Sequence, residues 1–134
     1  CKKEDKAGKA IIAKLEAVGV TITDYQVIPD EKDLIQEKTN TYQSSGLDLI
    51  IFTGGTGLSP RDVTPESLQP LLQRSVPGIE EAIRSYGQSR TPYAMLSRST
   101  AGMIGNTLVL ASPFTFLKLP KVLGMTNDLK ENIC

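Results

Sequence analysis

The sequence predicts an α/β layered fold, and three observations carry that prediction. Helical and extended patterns alternate along the chain, the run Leu49-Ile50-Ile51-Phe52 is continuously apolar, and it passes at once into a glycine-rich loop and a helix start. An unbroken apolar run of this kind suits a strand buried on both faces of a parallel sheet. Strand, glycine loop and helix in that order are the parts of a ligand site at the carboxyl end of an open α/β sheet.

From the amino end, Asp5 to Val18 places Ala7, Ala10, Ile11, Leu15 and Val18 at helical spacing, with Gly19 positioned to end the helix. Val20 to Ile28 alternates without a clean polar face and reads as a strand running to Pro29; Pro29-Asp30-Glu31 is the loop that leaves it. Asp33 to Ser45 follows as an amphipathic helix with Leu34, Ile35 and Tyr42 inward and Gly46 at its end. In the central stretch, Gly54, Gly55 and Gly57 permit positive φ and close approach of a ligand, so that successive N–H groups can converge on an anion. Thr64 is expected as an N-cap, Pro65 as the first helical residue, and Glu66 as the acid of the first turn.

Pro65 to Arg74 and Pro77 to Tyr86 read as two consecutive helices split by Ser75-Val76-Pro77. Tyr93 to Leu96 and Thr107 to Leu110 are short apolar runs, and Gly102 and Gly105-Asn106 between them offer turns for an antiparallel pairing. After Ala111 the period is lost, and Lys121 to Ile133 is the last helical candidate, weakened by Gly124.

A chain of 134 residues suits one domain with a real core. Its 15 basic and 15 acidic residues cancel, so the charge balance points to neither nucleic acid nor an anionic membrane, and any anion site must be local. Lys2, Lys3 and Lys6 read as a solvated basic face. Cys1 and Cys134 stand at the two ends and read as reduced, incidental thiols. With no signal-peptide pattern and no apolar run of membrane-spanning length, a cytoplasmic protein is the expectation. The chain has no histidine, which excludes Ser-His-Asp and Cys-His mechanisms and removes the commonest metal ligand. Chemistry must rest on carboxylates, lysines, arginines, hydroxyls and backbone amides.

The stretch GGTGLSPRDVTPE, Gly54 to Glu66, resembles the signature of the molybdenum cofactor biosynthesis family of the MogA/MoaB type, which includes the G domain of gephyrin. EDKAGKAI at Glu4 to Ile11, VIPDE at Val27 to Glu31, Pro77-Gly78-Ile79, and TPYAMLSRSTAGMIGNTLVL at Thr91 to Leu110 resemble further family segments in the same order. The resemblance implies a three-layer α/β sandwich with a mostly parallel central sheet, assembly as a homotrimer, and binding of molybdopterin. It also implies adenylylation of that pterin's terminal phosphate with ATP and Mg2+, giving a product used by a molybdenum-insertion partner protein. The nucleophile would be a phosphate oxygen already ionised at neutral pH, so the missing histidine is no obstacle.

Carried over residue by residue, the resemblance gives Gly54, Gly55, Thr56 and Gly57 as a phosphate cradle, with Thr56 adding a hydroxyl; the alternative is a tight turn without a ligand. Asp30 and Asp62 match the family's functional aspartates, as catalytic groups and, for Asp62, as metal ligand; the alternatives are turn and cap aspartates. Ser97 and Arg98 match its Ser-Arg pair as phosphate contacts, since guanidinium suits phosphate; the alternative is a strand-end polar pair. Arg61 is expected as a partner of Asp62 or a surface charge, and Phe114 and Phe116 as packing or interface residues.

Two departures stand out. The family's opening strand is absent ahead of the EDKAG-like segment, so the expectation is either that the natural chain continues upstream or that the terminal segment substitutes for that strand. After Leu110, Ala111-Ser112-Pro113-Phe114 keeps only a Ser-Pro echo of the family's Leu-Pro-Gly-[Ser/Asn]-Pro nucleotide loop. A pterin-binding module without turnover and an oligomeric scaffold are therefore the alternatives to the enzyme.

Overall fold

The computed structural model describes residues 6–113. The first helix, α1 (Lys6–Ala17), ends at the expected glycine: Gly19 takes φ +85° and donates to the Glu16 carbonyl at 2.9 Å. Ile11 and Leu15 are among its buried residues. In α2 (Lys32–Ser44), Ile35 and Thr39 are buried, and Gly46 follows at φ +77°. The Thr39 hydroxyl donates to the Ile35 carbonyl one turn back, at 2.7 Å, which satisfies it inside the core.

Four strands form one sheet in the order β1-β4-β3-β2. Strand β1 (Leu49–Thr53) runs parallel to β4 (Thr107–Ser112), with Leu49 opposite Leu108 and Thr53 opposite Ser112. Strand β3 (Thr100–Ile104) pairs antiparallel with β4 on one side and with the short β2 (Arg74–Ser75) on the other. The β3–β4 hairpin turns on Gly105-Asn106, where φ +56° at Gly105 and a negative φ at Asn106 give the type II′ pattern that matches strand twist. The sheet is thus mixed, with one parallel and two antiparallel pairs among the described strands.

Alternation along the strands divides the core. Ile50, Val109 and Ala111 meet Ile35 of α2 and Leu68 of α3 (Thr64–Leu68), whereas Ile51, Leu108 and Leu110 belong with Ile79 and Ile83 of α4 (Pro77–Gln88). The continuous apolar run of β1 is thereby explained: each face has its own helix layer, and the whole is the expected three-layer α/β sandwich.

Several local expectations change. Val20 to Ile28 forms no strand and belongs to no ladder among the described residues. Between it and the unpaired edge of β1 lies a cavity of about 830 Å³ whose lining includes Ile11, Leu15, Ile22, Ile28 and Ile50. A ladder needs a neighbour about 4.8 Å away, and the cavity separates these two segments. The segment is instead pinned to α2: Tyr42 donates its hydroxyl to Asp24 at 2.7 Å, and Asp24 also accepts the Tyr25 N–H at 2.8 Å.

The helix expected from Pro65 to Arg74 stops at Leu68 and tightens into a 3-10 turn at Gln69–Leu71. Pro70 cannot supply an α-helical N–H, and the chain beyond is drawn into the sheet as Gln73 donates to the Met103 carbonyl at 2.9 Å. Tyr93 to Leu96 forms no strand but lies in a second 3-10 turn, Pro92–Leu96, started by Thr91 accepting the Tyr93 N–H at 3.3 Å. Gly102 is no turn residue. It lies buried in β3, where a methyl group would stand 2.6 Å from the Arg74 carbonyl, so glycine lets β2 approach. Lys121 to Ile133, Phe114, Phe116 and both cysteines lie outside the described residues.

Candidate functional site

At the carboxyl end of β1 the chain leaves the sheet through Gly54 at φ +90° and Gly55 at φ +68°, conformations that side chains disfavour. Gly54 spends its N–H on the Ser112 carbonyl at 3.1 Å, prolonging the β1–β4 contact. The next three N–H groups, those of Gly55, Thr56 and Gly57, donate to no described residue. Unused adjacent donors at a strand end are what an anion cradle requires.

The loop is held from behind by α3. Thr64 donates its hydroxyl to the Gly54 carbonyl at 3.3 Å and its N–H to the Gly55 carbonyl at 3.2 Å. It is the first helical residue, following Val63, and not the side-chain cap expected of it. Thr56 is only 4 % exposed, so its hydroxyl has little room to reach a ligand.

Both predicted aspartates arrive at this loop by separate routes. Asp30, at the end of the segment from Val20 to Pro29, places Oδ1 3.4 Å from where a methyl group on Gly55 would stand. Asp62 places Oδ2 2.8 Å from the corresponding point on Gly57, so Gly57 admits the carboxylate. Asp62 also closes a turn on Ser59, accepting its N–H at 3.1 Å and donating to its carbonyl at 2.9 Å. Exposed Arg61 forms no ion pair with Asp62 among the described residues.

Ser97 and Arg98 separate. The Ser97 hydroxyl pairs with that of buried Ser99 at 3.0 Å. Arg98 reaches into the loop instead of outward: Nε donates to the Gly57 carbonyl at 2.9 Å, Nη2 to the Asp62 carbonyl at 2.7 Å, and Nη1 to the Glu66 carboxylate. That guanidinium holds the Glu66 carboxyl below the usual carboxylate range. Thr64, Glu66 and Ser112 are thus part of the site although nothing in the local sequence pattern marks their roles. The 32-residue separation of Glu66 from Arg98 is closed only by folding.

Among the described residues no three Asp, Glu, His or Cys side chains converge, and Glu66 is engaged with Arg98. Asp30 and Asp62 remain, and one or two carboxylates completed by ligand phosphates and water is the set that suits magnesium. The residues therefore fit Mg2+ brought in with a phosphorylated ligand, and do not form an all-protein metal cage.

Comparison with known proteins shows the family. A family model described as "Probable molybdopterin binding domain" matches residues 2–120. The chain is 43% identical over 104 residues to Gephyrin of Dictyostelium discoideum, covering 78% of this chain and 14% of that protein. It is 38% identical over 112 residues to Molybdenum cofactor biosynthesis protein B of Bacillus subtilis (strain 168), covering 81% of this chain and 66% of that one. It therefore spans between 14% and 66% of the length of these curated relatives. Among solved structures, that of MogA superposes with a TM-score of 0.88 at 34% identity, covering 98% of this chain and 89% of that one. The Mog protein from Mycobacterium ulcerans gives 0.85 at 30% identity, covering 100% and 90%.

Proposed function

Since the chain belongs to the molybdopterin-binding domain family of molybdenum cofactor biosynthesis, we propose that it is an adenylyltransferase acting on molybdopterin with Mg-ATP. A terminal phosphate oxygen of the pterin attacks the α-phosphorus of ATP, the bond to the β-phosphate bridging oxygen breaks, and pyrophosphate leaves. The observation that supports this reading is the row of three unused N–H groups, Gly55 to Gly57, bordered by Asp30 and Asp62. In this reading those amides bind and orient phosphate, and the two carboxylates share a cation with it. Mg2+, when bound, neutralises developing negative charge on the phosphates. No proton need be removed from the nucleophile, which suits a site without histidine.

The same reading carries cytoplasmic location, assembly as a homotrimer, and transfer of the adenylylated pterin to a molybdenum-insertion partner. Pterin binding without turnover is the second reading. It is favoured by the chain after Leu110, which continues as β4 through Ser112 and buries both Ala111 and Ser112 where the family resemblance implies a nucleotide loop.

Calorimetric titration with molybdopterin, then with ATP and magnesium, tests both readings. Binding of both ligands with release of pyrophosphate is expected. Pterin binding alone would replace the enzyme by a carrier, and binding of neither by a folded sample would leave a scaffold. Asp62→Asn keeps an oxygen able to accept from Ser59 while removing the charge. It is expected to lower turnover by at least tenfold with unchanged thermal unfolding, measured by pyrophosphate release and circular dichroism.

A further inference from the structure

The geometry points to Arg98 as a positioning residue that sets the shape of the glycine loop, in place of the phosphate contact its sequence position suggests. This assignment rests on the loop's proposed role as an anion cradle. All three guanidinium hydrogen bonds go to one stretch of ten residues: the Gly57 carbonyl at 2.9 Å, the Asp62 carbonyl at 2.7 Å, and the Glu66 carboxylate. Its backbone N–H adds a fourth, to the Thr56 carbonyl at 2.8 Å. Gly57 and Asp62 are the two ends of an arch whose middle, Leu58 to Arg61, is exposed.

Carbonyls drawn to the guanidinium fix the peptide planes of the arch. A peptide whose oxygen points at Arg98 has its N–H pointing away, so bonds to the Thr56 and Gly57 carbonyls orient the N–H groups of Gly57 and Leu58. The same clamp holds Asp62 against Gly57, where only a hydrogen leaves room for the carboxylate. Glu66 completes it from the first turn of α3, and the guanidinium's planar fork serves three acceptors at once, which an ammonium cannot reproduce. With its donors engaged in this way, Arg98 acts through the loop.

Arg98→Met and Arg98→Lys test the assignment, with Glu66→Gln as a milder variant on an exposed side chain. In the free protein, amide hydrogen exchange at Ser59 and Asp62, whose N–H groups are bonded within the arch, should rise about tenfold or more in both arginine variants, and less in Glu66→Gln, while exchange in α4 stays unchanged. This readout needs no ligand, so it decides the positioning role even if the adenylyltransferase reading fails. Where turnover is present, KM for molybdopterin should rise about tenfold in both arginine variants with kcat unchanged, the signature of lost uniform binding. Unchanged loop exchange in Arg98→Met would overturn the assignment. So would Arg98→Lys keeping the parent KM, or a fall in kcat at constant KM, since either marks a direct contact with the ligand's phosphate.

Discussion

Gly55 is the single residue on which the loop most depends. Its φ of +68° is in the left-handed region, and a β-carbon there would run into the Thr64 hydroxyl that ties the loop to α3. Gly55→Val therefore combines backbone strain with a steric conflict, costing on the order of 1–3 kcal/mol from the backbone alone. Loss of molybdopterin binding is expected by calorimetry, with a lower Tm. At Glu66 the charge matters. Its carboxyl is held below the ordinary value of 4.5 by hydrogen bonding from Arg98, so the folded state binds that proton less readily than the unfolded one. The clamp's contribution is present above 4.5 and is lost as pH falls through the lowered value. Exchange protection of Ser59 and Asp62, corrected for intrinsic rates, should fall as pH is taken below that range, and Glu66→Gln should flatten the dependence.

At the scale of elements, one segment has no ladder to hold it. Val20 to Pro29 carries Asp30 to the site, and one of its ties to α2 is the Tyr42–Asp24 hydrogen bond. Burial, with the Asp24 carboxylate beside it, pushes the Tyr42 hydroxyl up to about 12; donation by that hydroxyl, with the Tyr25 N–H, holds the Asp24 carboxyl below its usual value. Both shifts favour the neutral phenol bonded to the ionised carboxylate. The tie is lost as pH falls through the lowered Asp24 value or rises through about 12 at Tyr42. Tyr42→Phe should return Asp24 toward the ordinary carboxylate value by NMR titration and speed amide exchange across Thr21 to Ile28. Unchanged exchange there would show that other contacts hold the segment. The sequence pattern read this stretch as a strand because alternation reports side-chain chemistry, whereas a strand also needs a neighbour, and the neighbour belongs to tertiary structure. The same logic separates Tyr93 to Leu96 from β3: the apolar run formed a 3-10 turn, while the smaller residues Thr100-Ala101-Gly102 entered the sheet because β2 needed room beside them.

For the whole molecule, Leu68 links the site to the core. It is fully buried in the cluster that joins α2, α3 and the sheet, and α3 is the helix that anchors the glycine loop. Leu68→Ala should cost about 2–5 kcal/mol and lower Tm by on the order of 10 °C, measured by thermal unfolding, with magnesium and ATP unable to restore it. What the sequence by itself determined was local: the helices of α1, α2 and α4, the apolar β1 run and the glycine loop follow from spacing and residue type, while Asp30 and Asp62 were marked by motif resemblance. Its motif resemblance also named the family that the comparisons then supported. Only the tertiary structure decided which strands pair, that Gly102 lies within a strand, that Ser112 takes the Gly54 N–H, and that Arg98 turns inward to Glu66 and the loop carbonyls. These are contacts between residues far apart in the chain, and residue spacing carries no record of them until the packing of helices on the sheet brings them within hydrogen-bonding distance.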